Sequence, residues 1–190
     1  MIRAKVTFLI LLWVGILRPA QAQHVAIENN LLYDFAAMLS AGIEIPCSKY
    51  TSLEMYGSFR PWKRGETKVH KHWAFQGQYR IWPCQVMNSW FFGPYGHVAQ
   101  FNIGKQDFFP FELKNVKDFR YEGWLAGAGI GIGYEYALSK HWNIAAEVGA
   151  GYTYINYKKY DCAKCGVLRD DDVYHYWGVS KLGLSIMYVF

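Results

Sequence analysis

From Ala126 to Leu138 the chain alternates without a break. Ala126, Ala128, Ile130, Ile132, Tyr134, Tyr136 and Leu138 fall on one side, and Gly127, Gly129, Gly131, Gly133, Glu135 and Ala137 fall on the other. A helix returns side chains to one face every three or four residues, so a strict two-residue repeat is the mark of a strand. The same rhythm recurs through most of the chain beyond position 22. It predicts strands at Val25–Asp34, Ala41–Ile45, Thr51–Phe59, His72–Trp82, Trp90–Asn102, Gly123–Leu138, Trp142–Tyr157 and Trp177–Phe190, several of them bounded by turn residues. Pro94 and neighbouring small residues blur the fifth of these. There is no internal repeat beyond this rhythm and no domain boundary.

Residues 1–22 read differently. Arg3 and Lys5 precede a twelve-residue apolar stretch, Val6 to Leu17, and Ala20-Gln21-Ala22 supplies the small residues of a cleavage site. We expect cleavage after Ala22, leaving residues 23–190 as one exported domain. The apolar stretch is short of the roughly 20 residues that a membrane-spanning helix needs. The longest later apolar run, Leu125 to Tyr134, is ten residues with four glycines. A chain like this enters a membrane only as a closed β-barrel, since lipid cannot satisfy an open sheet edge.

Alternation alone does not say which face is inside. A soluble lipocalin-like barrel buries its apolar face, whereas an outer-membrane barrel turns that face to lipid. The second face here is glycine, alanine, serine and isolated carboxylates, not the dense lysine and glutamate of a wetted surface. Charge gathers instead in windows 60–71, 103–122 and 158–176, which hold 22 of the 32 charges beyond residue 22. Trp73, Trp82, Trp90, Trp124, Trp142, Tyr152, Tyr154 and Trp177 lie near strand ends, as aromatic girdles require. Short connections at Pro46–Tyr50, Pro83–Ser89 and Ser139–His141 alternate with the charged windows, as periplasmic turns alternate with external loops. The reading is an all-β chain: an eight-stranded antiparallel transmembrane β-barrel of up-and-down topology, in the cell outer membrane.

Composition removes other classes. Aromatic residues make up 18% of the chain and charged residues 18%, which excludes a disordered polymer. Without Arg3, Lys5 and Arg18 the 20 basic residues fall to 17 against 15 acidic ones, a charge of +2, so no nucleic-acid partner is expected.

In the last strand Leu182, Leu184, Ile186, Tyr188 and Phe190 share one face and end the chain on an aromatic, with Gly183 opposite. Gly183, Ile186, Tyr188 and Phe190 resemble the C-terminal signal that the barrel-assembly machinery recognises on its clients. Asn30-Leu31-Leu32-Tyr33-Asp34, Lys71-His72-Trp73, Arg120-Tyr121-Glu122-Gly123-Trp124 and Tyr157 to Gly166 resemble stretches of a Bacteroidetes family, domain of unknown function 3575. The resemblance is near full length. It implies a small outer-membrane barrel and carries over no catalytic residue.

Candidate chemistry is sparse. Cys47 and Cys84 fall in two turns on one rim, where they either bridge or remain free thiols. Cys162 and Cys165 form a C-x-x-C in the last external loop, best read as a small loop-pinning disulfide. Asp170-Asp171-Asp172, on that loop, reads as a solvated acidic run rather than a calcium site, and His70 and His72 as rim histidines. With the apolar face outward, Glu44, Glu54, Arg80, Glu135, Glu147 and Lys181 point inward as an interior charge network. A salt-bridge plug is favoured over a gated ion path, because eight strands leave no open channel. No P-loop, G-x-S-x-G elbow, H-E-x-x-H helix or dinucleotide fingerprint is present, so no catalytic residue, cofactor or metal is expected. A non-catalytic structural or surface-interaction role follows, with outer-membrane lipid and a surface protein or polysaccharide as partners. The alternatives are a lipid-modifying enzyme using rim residues such as Ser58, His72 and Glu122, or a soluble ligand-binding barrel.

Overall fold

In the computed structural model, which describes residues 25–60, 69–104, 120–160 and 168–190, the period-2 segments form eight antiparallel strands in one sheet that closes in a ring. The elements are β1 (Ala26–Asn30), α1 (Leu31–Phe35), β2 (Leu39–Ser48), β3 (Thr51–Arg60), β4 (Val69–Ile81), β5 (Trp90–Gly104), β6 (Arg120–Ala137), β7 (Trp142–Tyr160) and β8 (Leu168–Val189). Each strand pairs with its neighbour in sequence, and β8 closes on β1.

The register sets the tilt. Partners run from Ala26 through Glu44, Glu54, Gln78, Tyr95, Gly129 and Gly151 to Gly178, yet the β8 residue that pairs directly with Ala26 is Val189. Those two β8 residues are eleven apart, and one of the eleven is the extra residue of a bulge where Gly149 and Ala150 pair with Lys181 and Val179. At about 3.4 Å per residue and about 4.8 Å between strands, a stagger of ten over eight strands tilts them by about 41°.

Several strand limits differ from the sequence reading. β1 is shorter than Val25–Asp34. The Asn30 side chain accepts the Leu32 N–H at 3.0 Å, a helix N-cap that turns Leu31–Phe35 into one helical turn. Beyond β1, the strands extend further at the loop end, so the charged windows are partly sheet. Asp170, Asp171 and Asp172 are not loop residues: they lie in β8 opposite Lys159, Lys158 and Tyr157, and Asp171 sits 3.8 Å from Lys158. Cross-strand pairing of opposite charges explains why Asp170 and Asp171 tolerate a strand, while Asp172 lies opposite Tyr157. Pro94 does not break β5 either. It lacks an N–H, and the β4 ladder skips from Gln78–Tyr95 to Ile81–Phe92 past it, while the β6 ladder continues through Pro94–Ile130. Ala20, Ala22, Cys162 and Cys165 lie outside the described residues.

Candidate functional site: a charge cluster buried in the ring

Alternation sends one side chain of every pair outward and the next inward. The outward set is apolar and accessible, with Ile130 69% and Trp177 76% exposed and Phe59, Phe75, Val148, Leu182 and Phe190 among the rest. The inward set is layered. Ala26, Met87, Ala145 and Met187 pack together at the short-turn end, and Phe101, Ile103, Tyr121, Leu125 and Ile155 at the loop end. Polar groups fill the space between.

At the centre is Arg80 on β4, 2% exposed. Its guanidinium pairs with Glu44 of β2, with Glu54 of β3 at 3.2 Å and with Glu147 of β7 at 3.2 Å. Lys181 of β8 reaches Glu147 at 2.8 Å and Glu54 at 2.9 Å, and donates to Gln78 Oε1 at 2.6 Å. Gln78 donates to Glu147 at 2.6 Å, so its amide couples both cations to the same carboxylate. Below, Trp82 Nε1 donates to Ser52 Oγ at 2.8 Å, and Ser52 donates to Glu44 at 2.6 Å. The Phe91 ring lies 4.4 Å under the Arg80 guanidinium. Removed from water, ions survive only when paired and hydrogen-bonded in this manner. A cavity of about 20 Å³ beside the cluster, lined by Asn30, Tyr33, Glu54, Tyr56, Lys181 and Ser185, has room for about one water.

Five of the six residues assigned to the interior network from sequence therefore meet in one cluster. Glu135 does not join it. Its carboxylate accepts from Asn143 Nδ2 at 2.6 Å, and that amide also donates to the Met87 carbonyl at 2.8 Å. Among the described residues Glu135 makes no ion pair. The sequence reading omitted two members. Gln78 lacks charge and drew no notice. Glu28 lies 1% exposed on β1, and neither carboxylate oxygen has a hydrogen-bond partner among the described residues. It shares the inward face with Ala26, so alternation in the first strand was sufficient to find it.

Four carboxylates of the cluster, Glu28, Glu44, Glu54 and Glu147, thus face two cations, Arg80 and Lys181. Glu28→Gln is expected to raise stability by about 1 kcal/mol or more, because an amide can donate to the neighbouring Glu54 carboxylate, where a second carboxylate repels it. Urea unfolding of the two proteins measures it, and a variant weaker than the parent would mean that the Glu28 charge is compensated in the folded chain.

Of the two alternatives left open for Cys47 and Cys84, free thiols hold, and both are exposed. Their turns touch, since Trp82 N–H donates to the Tyr50 carbonyl at 2.8 Å. However, Cys47 belongs to β2 and Cys84 follows β4, and the two strand spacings between them come to about 9.6 Å, beyond the roughly 7 Å that a disulfide bridges. Nor do the three rim residues converge. Ser58 and His72 lie on the inward faces of β3 and β4, while Glu122 lies on the outward face of β6, 3.6 Å from Arg120. Among the described residues no three His, Cys, Asp or Glu side chains gather as a metal ion would require.

In the last strand Tyr188 and Phe190 face outward with ring centroids 5.1 Å apart, Tyr188 lies against Trp142 at 5.2 Å, and Phe190 N–H donates to the Val25 carbonyl at 3.0 Å. Ile186 is half-buried on the same face, and Gly183 lies on the inward one. A family model described as a protein of unknown function (DUF3575) matches residues 6–190. No curated protein matches the chain.

Proposed function

The chain belongs to the DUF3575 family of proteins of unknown function, and from that premise we propose a small transmembrane β-barrel of the bacterial outer membrane. It is non-catalytic and acts structurally or through surface contacts of its charged outer loops. The observation that carries this reading is the inverted distribution of polarity: an accessible apolar belt outside, and paired ions inside. A monomeric soluble protein rarely exposes an apolar patch beyond a few hundred Å². Lipid is the solvent that such a belt fits.

The dimensions agree. Trp124 and Tyr134, ten residues apart on β6, mark the two ends of the outward aromatic band. Ten steps of about 3.4 Å at about 41° tilt span about 26 Å, against an apolar band of about 25 Å. At the short-turn end Trp90 packs on Tyr134 at 5.0 Å, continuing the row of Trp142, Tyr188 and Phe190. In this reading residues 1–22 are the export leader, and Gly183, Ile186, Tyr188 and Phe190 address the barrel-assembly machinery. In this reading a surface protein or polysaccharide meets the charged windows 60–71, 103–122 and 158–176. The opposite facing of Glu122 and the Ser58–His72 side argues against catalysis at the rim.

The test is fractionation of cells expressing the full chain, with gel mobility before and after boiling. We expect the protein in the outer-membrane fraction and a mobility shift on boiling. Recovery from the aqueous phase without a shift would turn the reading to a soluble barrel, and hydrolysis of purified lipid A or phospholipid would turn it to an enzyme.

A further inference from the structure

β8 is the longest strand of the ring, at 22 residues, and its two edges are unequally paired. β7 pairs with it from Leu168 to Tyr188. β1 meets only Ser185 to Val189, because the Asn30 cap ends β1 and starts α1. Ahead of Ser185, no strand lies along that second edge of β8 among the described residues.

Hydrogen bonds at the seam show which groups this edge presents. Phe190 N–H donates to the Val25 carbonyl beside β1, and Val189 N–H to the His141 carbonyl beside β7. Successive residues of an antiparallel strand thus face its two neighbours in turn. The extra residue at the bulge opposite Gly149 and Ala150 shifts that count by one. Beyond it Val173, His175, Trp177 and Val179 aim N–H and C=O away from β7. Two side chains bear this out. The Asp172 carboxylate accepts the Val173 N–H at 2.7 Å, and the Tyr176 hydroxyl donates to the Val179 carbonyl at 3.2 Å. Between these two caps His175 and Trp177 each keep a backbone donor and acceptor without a partner among the described residues. Edges are ordinarily blunted by charge, lysine, proline or a bulge. Here aspartates stand before the window, at 170–172, and the bulge follows it, but residues 173–177 contain no lysine, proline or carboxylate. Such an edge invites a further strand in water, and lipid leaves its groups unsatisfied.

We propose that the β8 edge from Val173 to Val179 docks an extended segment of a partner polypeptide, which joins the sheet by strand pairing. A polypeptide offers alternating N–H and C=O groups at the spacing of His175 and Trp177, about 6.8 Å, and lipid and polysaccharide do not. Side chains set the character of the segment. Trp177 and Val179 are exposed on the outward face, where apolar or aromatic residues at alternate positions pair with them. A strand that takes over the Val173 N–H frees the Asp172 carboxylate, which holds no ion pair among the described residues, so a lysine or arginine fits there. The proposal goes beyond the membrane reading and does not depend on it.

The probe is a fluorescent peptide of about ten residues, alternating valine and threonine with a lysine at each end, matched to the strand repeat. Anisotropy is followed as the folded full chain is added. We expect saturable binding that is at least about tenfold weaker when one alternate set of peptide amides is N-methylated, and nearly unchanged when the other set is, since only one set faces β8. Trp177→Pro removes an N–H that β7 does not use, and it should bind at least about tenfold more weakly than Trp177→Ala, which keeps that N–H. Absence of binding, or equal weakening by both methylated peptides, would overturn the docking site. So would equal binding by folded Trp177→Pro and Trp177→Ala, and if the proline variant fails to fold, the methylated peptides on the parent chain decide. Self-association of the parent without peptide, abolished in Trp177→Pro, would assign the edge to a second copy and overturn the partner segment.

Discussion

Replacing Arg80 by alanine is expected to remove the compact folded form. The substitution strips Glu44, Glu54 and Glu147 of a shared partner in a space where Lys181 reaches only Glu54 and Glu147. Breaking a buried ion pair by deleting one partner costs about 3–5 kcal/mol, since the remaining charge is stranded away from water. Arg80 serves three carboxylates, and native domains have a margin of only about 5–15 kcal/mol. The expected readout is loss of the heat-dependent mobility shift and an early urea transition. A triple variant, Arg80→Met with Glu44→Gln and Glu54→Gln, should recover most of the loss, because it removes charges together with their partner. If Arg80→Ala unfolds like the parent, the cluster is not a structural plug, and the interior must hold enough water to solvate the stranded carboxylates.

Gly93→Ala is the second large effect. On β5, a Cβ at this position would overlap the Tyr79 carbonyl oxygen and lie 2.9 Å from its carbon, both backbone atoms of β4. The two backbones approach this closely at the gap in the ladder opposite Gly93 and Pro94, where a proline without an N–H interrupts the pairing. Backbone cannot move aside as a side-chain tip does, so the strands must separate there. Overpacking of this kind costs about 3 kcal/mol or more. Gly57→Ala is the matched control. Its nearest neighbours would be carbonyl oxygens at 3.9 Å, ordinary contact, and its stability should stay within about 0.5 kcal/mol of the parent. Urea midpoints of the two variants give the comparison, and equal midpoints would refute the close approach at Gly93.

The two substitutions differ in how far the sequence foreshadows them. That Arg80 points inward follows from counting by twos along His72–Trp82, and so do the inward positions of Glu44, Glu54, Glu147 and Lys181. Their assembly into one cluster does not follow, because β2, β4, β7 and β8 are far apart in the chain. The ten-residue stagger brings them to one level, and stagger is a property of the closed sheet. The same stagger leaves Glu135 at another level, with Asn143 as its partner. Gly93 is one of many glycines by sequence, and only the close approach of the neighbouring backbone distinguishes it from Gly57.

Local signals were misread where a competing signal lay alongside. Asn30 followed by Leu31, Leu32 and Phe35 carries both an alternating pattern and a helix cap, and the cap's hydrogen bond to Leu32 prevailed. The aspartates at 170–172 resemble loop residues until Lys158 and Lys159 are set opposite them, a pairing that spans the β7–β8 hairpin. Cys47 and Cys84 share a rim in the topology, but a rim is wider than a disulfide.

The sequence by itself determined the number of strands, their antiparallel order and which face of each is apolar, because the two-residue repeat is a property of each strand alone. The tertiary structure decided which inward groups meet, where β1 ends and which thiols remain free. Those outcomes depend on the register between strands, and a repeat of two is satisfied equally by every even shift of that register.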